Sequence, residues 1–325
     1  MKMKISKILS TILGIGILIF LIYKINPVKL LETLENFNFL YLIPIVLTLL
    51  LVYILASINI WTLSRPIKKI KLSRVIKYNF FVLFFTVFLP GKIADLLMIY
   101  FLKEEKIELS KSTTIVVLDK TISLIMKIIF SIFGAIFILK QFNFLFIGLP
   151  LIIFSVIVLS SVIINSKKFK EFLIKFIFKK YASLVKDVYN SFKLYTKNYK
   201  KYIRYNVLIT LVKNFVESTL FFFLFLAFGQ QTNIIEIFFV FSLLSVIILV
   251  VFPIGISGLG ARELIGIVIF GTIGIDAAII FNSFILRLVL IYIINLLIFS
   301  KYHSELNILK KLKIWEKLKS KFNQS

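Results

Sequence analysis

The chain has 325 residues, of which 60% are hydrophobic and 36 are Phe, and its mean hydropathy is +1.00. It carries a formal charge of +25 and contains no Cys. This composition excludes an ordinary soluble domain, and the lack of Cys excludes disulfides, thiolate catalysis and Cys-ligated metals. Apolar runs longer than the roughly 20 residues that span a bilayer core instead predict an all-α, polytopic membrane helix bundle.

The positive charge is concentrated in three segments. Arg65–Lys77 carries six basic residues and no acidic one, and two further basic clusters occupy residues 167–204 and the tail after Ser300. Such clusters are typical of cytoplasmic loops, where they contact anionic headgroups. We therefore expect a multi-pass protein of the cell membrane with cytoplasmic N- and C-termini, and no nucleic acid partner.

The first predicted half covers residues 1–140. It begins with the apolar run 8–23, which follows a basic N-terminus but precedes no small-residue cleavage site, so we interpret it as a retained span and not as a signal peptide. The next spans are 40–63 and 113–139, and between them lies the apolar segment 78–102.

The segment 78–102 is interrupted near its middle by Pro90 and Gly91. Proline removes a backbone donor and glycine frees the dihedral angles, so a helix should stop there. If this segment crossed the membrane, the basic cluster 167–204 would lie outside, against the positive-inside rule. We therefore predict a re-entrant hairpin, and continuous kinked spans are the alternative.

The second half, residues 141–300, repeats this order. Its three predicted spans are 142–164, 205–228 and 277–299. An interfacial amphipathic helix is predicted at about 166–201, and the second broken segment is 235–271. The second turn contains Pro253, Gly255, Ser257, Gly258 and Gly260. Three crossings per half give the halves opposite orientation, which is the inverted repeat of many secondary transporters. The predicted fold has six full spans plus two re-entrant hairpins, followed by a basic cytoplasmic tail, 301–325.

Charged residues follow both predicted turns, Lys92 and Asp95 in the first half and Arg262 and Glu263 in the second. Each pair would lie at the N-terminus of a half-helix, where free amides and partial positive charge favour an anion such as phosphate. We predict that Lys92 and Arg262 bind an anionic headgroup, while Asp95 and Glu263 orient them or carry a proton. The alternative is that the pairs only neutralise each other across two broken helices.

Two further cations, Lys127 and Arg287, lie near the centres of their predicted spans, where snorkelling to the interface is difficult. Arginine favours planar contact with phosphate, which suggests substrate binding. A structural ion pair with Glu217 or Asp119 is the competing interpretation. Secondary candidates, which pairing or solvation would also explain, are Asp119, Lys120, Lys213 and Glu217.

The motif GISG, residues 255–258, has the Gly-x-Ser-Gly spacing of rhomboid-type intramembrane proteases, with Ser257 in the place of the nucleophile. Such a serine needs a base within hydrogen-bond distance. The only histidine of the sequence, His303, follows the last predicted span. The sequence also lacks a P-loop and a metal-ligand pattern. We therefore predict no enzymatic activity, no metal and no cofactor.

Four stretches of the chain carry a family resemblance, namely LPGKIADLLMIYFL, VVLDKTISL, FPIGISGLGARELIGIVIFGTIG and ILRLVLIYIINLL. In order and spacing they resemble the transmembrane domain of lysylphosphatidylglycerol synthases and their stand-alone flippase-like relatives. The chain departs from the family pattern at Ala94-Asp95, where Gly-Glu is usual, and at Asp119-Lys120, where Glu-Arg is usual. Ser123 stands in the area where a further acidic residue is common.

Because no aminoacyl-transferase sequence follows the membrane region, the resemblance implies lipid translocation and not lipid synthesis. It implies a flippase-like transporter that moves an anionic, phosphate-bearing lipid between leaflets, either a phospholipid or a polyprenyl-phosphate-linked lipid. The alternative function is that of a non-transporting membrane partner of a lipid-modifying enzyme or of a glycosyltransferase in glycan assembly.

Overall fold

The computed structural model describes residues 2–88, 95–138, 182–251 and 258–302, and all regular structure in these ranges is helical. In chain order the helices are α1 (Lys2–Ile25), α2 (Pro27–Glu35), α3 (Leu42–Ser64), α4 (Leu72–Phe88), α5 (Asp95–Glu104), α6 (Leu109–Ile138), α7 (Ala182–Asn198), α8 (Lys200–Ala227), α9 (Ile234–Val251), α10 (Ala261–Gly271) and α11 (Ala277–Tyr302). A 3-10 turn, Phe39–Tyr41, precedes α3. The all-α prediction is confirmed for the described residues.

Three of the described helices are long and apolar enough to cross a bilayer, namely Phe39–Ser64, Lys200–Ala227 and Ala277–Ile298. The end of α1 and the whole of α2 form a pair bent by 80°, which makes a fourth candidate if it counts as one span. The chain is therefore a multi-pass membrane protein. The six predicted full spans are not all accounted for, partly because the predicted span 142–164 lies outside the described residues.

One end of the bundle collects the end of α3, the beginning of α4 and the end of α5. The hydroxyl of Tyr195 in α7 donates to the carbonyl of Leu63 at 2.6 Å, and Lys68 Nζ donates to the carbonyl of Glu105 at 2.6 Å. The cluster Arg65–Lys77 lies in the loop and first turns between α3 and α4. We call this side of the molecule the basic end.

Helices α4 and α5 run antiparallel, because α4 begins and α5 ends at the basic end. The ring of Tyr78 stacks on that of Phe101 with 4.8 Å between centroids, and the Tyr78 hydroxyl donates to Glu105 Oε1 at 2.6 Å. Arg74 Nη1 contacts the same carboxylate at 3.1 Å. The two arms of the first predicted hairpin thus meet at one end, while its turn, with Pro90 and Gly91, lies outside the described residues.

The opposite end of the bundle collects the beginning of α3, the end of α8 and the end of α10. The backbone amide of Asn38 donates to the carbonyl of Ala227 at 2.8 Å. The rings of Phe225 and Phe270 lie 5.0 Å apart, which places the end of α10 beside the end of α8. Because α9 begins shortly after α8 ends, the arms of the second hairpin also meet at one end of the molecule.

The helix contacts of the two halves are matched. In the first half α3 packs on α4, α4 on α5 and α5 on α6, and in the second half α8 packs on α9, α9 on α10 and α10 on α11. Between the halves, α6 packs on α9 and α4 packs on α11. Helices α3 and α8 pack on each other, and they run antiparallel because Asn59, late in α3, donates to Thr210, early in α8, at 3.0 Å.

Helix α2 is an element that the sequence analysis misses. Its N-cap is Asn26, whose side-chain oxygen accepts a hydrogen bond from the Val28 amide at 3.0 Å, and Pro27 occupies the first helical position. This Asn-Pro pair is a recognisable helix start. Val28, Leu31 and Leu34 of α2 are exposed.

Helix α2 is held to the rest of the bundle by α11. Lys29 pairs with Asp276 at 2.5 Å, and Asn282 Nδ2 donates to the carbonyl of Leu30 at 3.0 Å. Helix α7, by contrast, overlaps the predicted interfacial helix of about 166–201. It packs on α6, where Thr114 donates to the carbonyl of Val188 at 3.3 Å. The part of the predicted helix before Ala182 lies outside the described residues, as does the tail beyond Tyr302.

Candidate functional site

Glu217, in the second half of α8, lies between two cations from other helices. Lys127 Nζ of α6 is 3.4 Å from Glu217 Oε2, and Arg287 Nη2 of α11 is 3.8 Å from Glu217 Oε1. The three side chains are only 24%, 17% and 18% exposed, in the order Lys127, Glu217 and Arg287. Of the acidic partners considered for these cations, the structure therefore selects Glu217 and not Asp119.

Arg287 has the least complete set of partners of the three. Its nearest carboxylate oxygen, at 3.8 Å, is beyond hydrogen-bond distance, and its buried Nε has no acceptor among the described residues. A buried donor without an acceptor costs about 1–3 kcal/mol, and more when the group is charged. Arg287 therefore retains the capacity to bind a further acceptor.

Two aromatic rings lie between Arg287 and a second arginine. The Arg287 guanidinium lies over the ring of Phe221 at 5.4 Å from its centroid, and that of Arg262 lies over Phe284 at 5.6 Å. The two rings are themselves 5.0 Å apart. Aromatic faces stabilise a cation without neutralising it, so these contacts hold both guanidinium groups in place and leave the charge of Arg287 available.

Arg262 and its neighbour Glu263 lie near Arg287, since only two contacting aromatic rings separate the two guanidinium groups. We call Lys127, Glu217, Arg262, Glu263 and Arg287 the central cluster. It contains three cations against two carboxylates, which leaves one net positive charge. Uncompensated charge is costly inside a membrane protein, so the central cluster favours an anionic ligand.

The N-terminus of α10 is capped by the side chain of Glu263, a residue of its own first turn. Gly258 and Gly260 have φ angles of 78° and 85°, a region that favours glycine, and α10 begins at the next residue, Ala261. Glu263 Oε2 accepts from the Gly260 amide at 2.6 Å, and its Oε1 accepts from Arg262 Nη2 at 2.6 Å. This carboxylate, fully buried, occupies the position where an anion was expected.

The arrangement at α10 agrees with local neutralisation of Arg262 by Glu263. The cation with an unpaired hydrogen-bond donor is instead Arg287, for which the sequence leaves substrate binding and a structural ion pair as open interpretations. The corresponding prediction for the first hairpin stays a prediction, because Lys92 and the side chain of Asp95 lie outside the described residues. The same holds for the remaining predicted turn and catalytic candidates, Pro90, Gly91, Pro253, Gly255, Ser257 and His303.

Asp119 differs from the expectation of a solvated charge. It is only 4% exposed, and its Oδ1 accepts a hydrogen bond from Asn206 Nδ2 at 3.2 Å. The same amide donates to the carbonyl of Asn59 at 3.3 Å. Its neighbour Lys120 is exposed. Asp119 is buried because it faces α8. The sequence pattern that could have predicted this polar contact is the i, i+4 spacing of Asn206, Thr210 and Asn214 within an apolar helix.

Lys213 lies one turn before Glu217, and this i, i+4 spacing offered an ion pair between the two as one interpretation. The structure directs Glu217 towards Lys127 and Arg287 on other helices instead. Along α8, Lys213 lies between Asn206, which donates to Asp119 of α6, and Glu217. Lys213 therefore lies between the buried aspartate near the basic end and the central cluster.

A family model described as the lysylphosphatidylglycerol synthase TM region matches residues 7–298. The chain belongs to this family. Comparisons with curated proteins and with solved structures give no match. Membership of the lysylphosphatidylglycerol synthase TM region family confirms the resemblance of the four motifs, and it relates the chain to membrane proteins of lipid handling. The matched range includes every residue of the central cluster.

Proposed function

We propose that this protein is a flippase-like transporter that moves an anionic, phosphate-bearing lipid between the leaflets of the cell membrane. The observation that carries the proposal is Arg287, a buried guanidinium whose Nε lacks an acceptor in the described part of the chain. The planar fork of arginine matches the geometry of phosphate. A phosphate oxygen bound there would satisfy the donor and offset the net positive charge of the central cluster.

The packing of the helices supports an inverted repeat with two re-entrant hairpins. Each hairpin has both of its outer ends on one side of the molecule, the first at the basic end and the second at the opposite end. The central helices α3 and α8 run antiparallel, and their contacts with following helices are matched. In transporters of this kind the substrate binds between the repeats. The central cluster fits this rule, because Lys127 belongs to the first half and the other members belong to the second.

The charge distribution supports a cytoplasmic position for the basic end. Arg65–Lys77 and the basic residues of α7 and the start of α8 lie there, as the positive-inside rule requires. In this orientation both chain termini are cytoplasmic. The proposal assigns no chemical step to the protein and no cofactor, so its activity would consist of binding the headgroup and changing the side from which it is accessible.

The proposal is tested by reconstituting the purified protein in liposomes that contain a fluorescent anionic phospholipid. Flipping is measured as the rate at which the label becomes accessible to a membrane-impermeant quencher, with a zwitterionic lipid as comparison. Loss of a hydrogen bond to a charged group costs about 1.5–3 kcal/mol, so Arg287→Gln should flip the anionic lipid at least about tenfold more slowly. Arg204→Gln, at an exposed arginine of the basic end, is the matched control and should flip normally.

Two results would contradict the proposal. If Arg287→Gln flips as fast as the wild type, Arg287 is not part of the substrate site. If the wild type binds anionic lipid but flips neither anionic phospholipids nor polyprenyl phosphates, the protein is a non-transporting partner of a lipid-modifying enzyme. The double variant Glu217→Gln/Arg287→Gln removes a charge of each sign, so a folded double variant that still fails to flip separates loss of function from misfolding.

A further inference from the structure

The buried face of α11 carries a row of polar side chains that lack partners. Ser283 Oγ, Arg287 Nε and both amide atoms of Asn295 have no hydrogen-bond partner within residues 2–88, 95–138, 182–251 and 258–302. Ser283 is fully buried and Asn295 is 3% exposed. The other face of α11 is apolar and exposed, at Val289, Tyr292, Ile293, Leu296 and Leu297. The polar row therefore faces the interior of the bundle and not the lipid.

The row extends over a large part of the membrane. Ser283 and Asn295 are twelve residues apart, which corresponds to about 18 Å along a helix that rises about 1.5 Å per residue. The hydrocarbon core of a bilayer is about 30 Å thick. Ser283 lies towards the opposite end of the molecule, Asn295 lies towards the basic end, and Arg287 lies between them. The row thus extends from the central cluster towards both sides.

These unpaired atoms contrast with the other buried serines of the bundle. Ser57 in α3, Ser131 in α6 and Ser218 in α8 each donate to a backbone carbonyl of the preceding turn, at 2.8 Å, 2.8 Å and 2.7 Å. A serine in a membrane helix ordinarily satisfies its hydroxyl in this way. Ser283 makes no such bond in the described structure, although it is just as buried.

A fourth unpaired side chain lies on the helix that faces Arg287. Both amide atoms of Asn214 in α8 lack partners among the residues described, and the side chain is 3% exposed. Asn214 lies one turn before Glu217, whose carboxylate pairs with Arg287. Helices α8 and α11 pack on each other. Asn214 therefore adds unused hydrogen-bonding capacity one turn from Glu217, on a helix that packs against α11.

We propose that Ser283, Arg287, Asn295 and Asn214 form the path along which the phosphate-bearing headgroup moves between the two sides of the membrane. The proposal rests on the transport function and names the residues of the route. Arg287 binds the phosphate at the midpoint, and the hydroxyl and amide groups replace the water that the headgroup loses on either side. Because these side chains are at least nine-tenths buried apart from Arg287, the path is closed in this conformation and opens when α11 moves away from the helices packed against it.

The path is tested with variants that remove the unpaired polar atoms and keep the size of the side chain. Ser283→Ala and Asn295→Leu are the test variants. Ser131→Ala and Asn79→Leu are the matched controls, since both side chains are equally buried but bonded, Ser131 to the carbonyl of Ile128 and Asn79 to that of Tyr53. Three quantities are measured for each variant: the unfolding temperature in lipid-free detergent, the affinity for anionic lipid and the flipping rate in liposomes.

The test variants should unfold at the same or a higher temperature than the wild type, because replacing an unpaired buried polar group by an apolar one of similar shape removes a desolvation penalty. They should bind anionic lipid within about twofold of the wild type, because Arg287 is retained. They should flip it about tenfold more slowly, because the path has lost one position. The controls should show the reverse, a lower unfolding temperature and normal flipping.

Normal flipping by both test variants, beside loss of flipping in Arg287→Gln, would overturn the path and leave the proposed function intact. A lowered unfolding temperature in the test variants would also overturn it, because the side chains would then contribute to packing as the controls do. A wild-type protein that binds anionic lipid without flipping it would overturn the path together with the transport function on which it rests.

Discussion

Replacing Glu217 by Gln keeps the shape of the side chain and removes the charge between Lys127 and Arg287. At an effective dielectric constant of about 20, a unit charge 3.4 Å or 3.8 Å away attracts by about 4–5 kcal/mol before desolvation is subtracted. Removing one partner of a buried pair costs about 3–5 kcal/mol in measured cases. Since the cations here keep some exposure, we expect Glu217→Gln to lower the free energy of unfolding by about 3 kcal/mol.

The same substitution should strengthen the binding of anionic lipid. The net charge of the central cluster rises by one unit, and a phosphate no longer competes with the carboxylate for Arg287. A gain of about 1.4 kcal/mol would tighten the dissociation constant about tenfold. The assay is a pair of measurements on one purified variant, thermal unfolding without lipid and binding of an anionic phospholipid. We expect lower stability and higher affinity together.

A neutral partner variant separates the two effects. Lys127→Met in the Glu217→Gln background removes the excess cation, so it should recover part of the lost stability and reduce the affinity towards that of the wild type. The reasoning is refuted if Glu217→Gln is as stable as the wild type and binds anionic lipid no more tightly. In that case the ion pairs of Glu217 contribute nothing measurable, and the charge of the cluster does not select the ligand.

Other predictions concern topology, a turn and an exposed ion pair. Single cysteines at exposed positions near Glu105 and near Gln231 should be labelled from opposite sides of the membrane, the first from the cytoplasm. Labelling of both from one side would contradict the topology. Gly260→Ala should destabilise the protein more than Gly229→Ala. Both glycines have positive φ, but only at Gly260 would the added Cβ collide with the α1 backbone. Equal unfolding temperatures of the two variants would contradict this prediction. Burial alone would raise the pKa of Asp276, but hydrogen bonds and the charge of Lys29 outweigh it and lower the pKa. The contribution of this ion pair to the free energy of unfolding is therefore present above about pH 4 and is lost as the pH falls through the lowered pKa. A stability difference between wild type and Asp276→Asn that is the same at pH 3 and pH 7 would disprove it.

The helices that cross the bilayer were the easiest elements to predict. The predicted spans 40–63, 205–228 and 277–299 differ from α3, α8 and α11 by a few residues, because a long apolar run leaves the backbone no alternative to a helix in hydrocarbon. The end of the break, directly before α10, was also predictable, since Gly258 and Gly260 take the positive φ angles that interrupt a helix. Helix α2 was missed because it is short and mixed in composition.

The partners of the charged residues were predicted from the sequence only as one of several alternatives. The sequence left open whether Glu217 pairs with Lys213 on the same helix or with the cations of other spans. Packing brings it to Lys127 and Arg287, 90 and 70 positions away in the chain. The burial of Asp119 has the same origin, because it depends on which face of α6 meets α8. Local patterns identify charged groups at membrane depth, and only the fold determines which of them meet and which remain unsatisfied.

The bend between α1 and α2 has a consequence for how the protein responds to its bilayer. With α2 turned by 80° from the axis of α1, its exposed Val28, Leu31 and Leu34 form an aliphatic surface that suits the boundary between headgroups and acyl chains. The pair of Lys29 with Asp276 ties this surface to the start of α11. We therefore expect a change in bilayer thickness, which shifts the depth of that boundary, to act through this contact on the helix that carries Arg287.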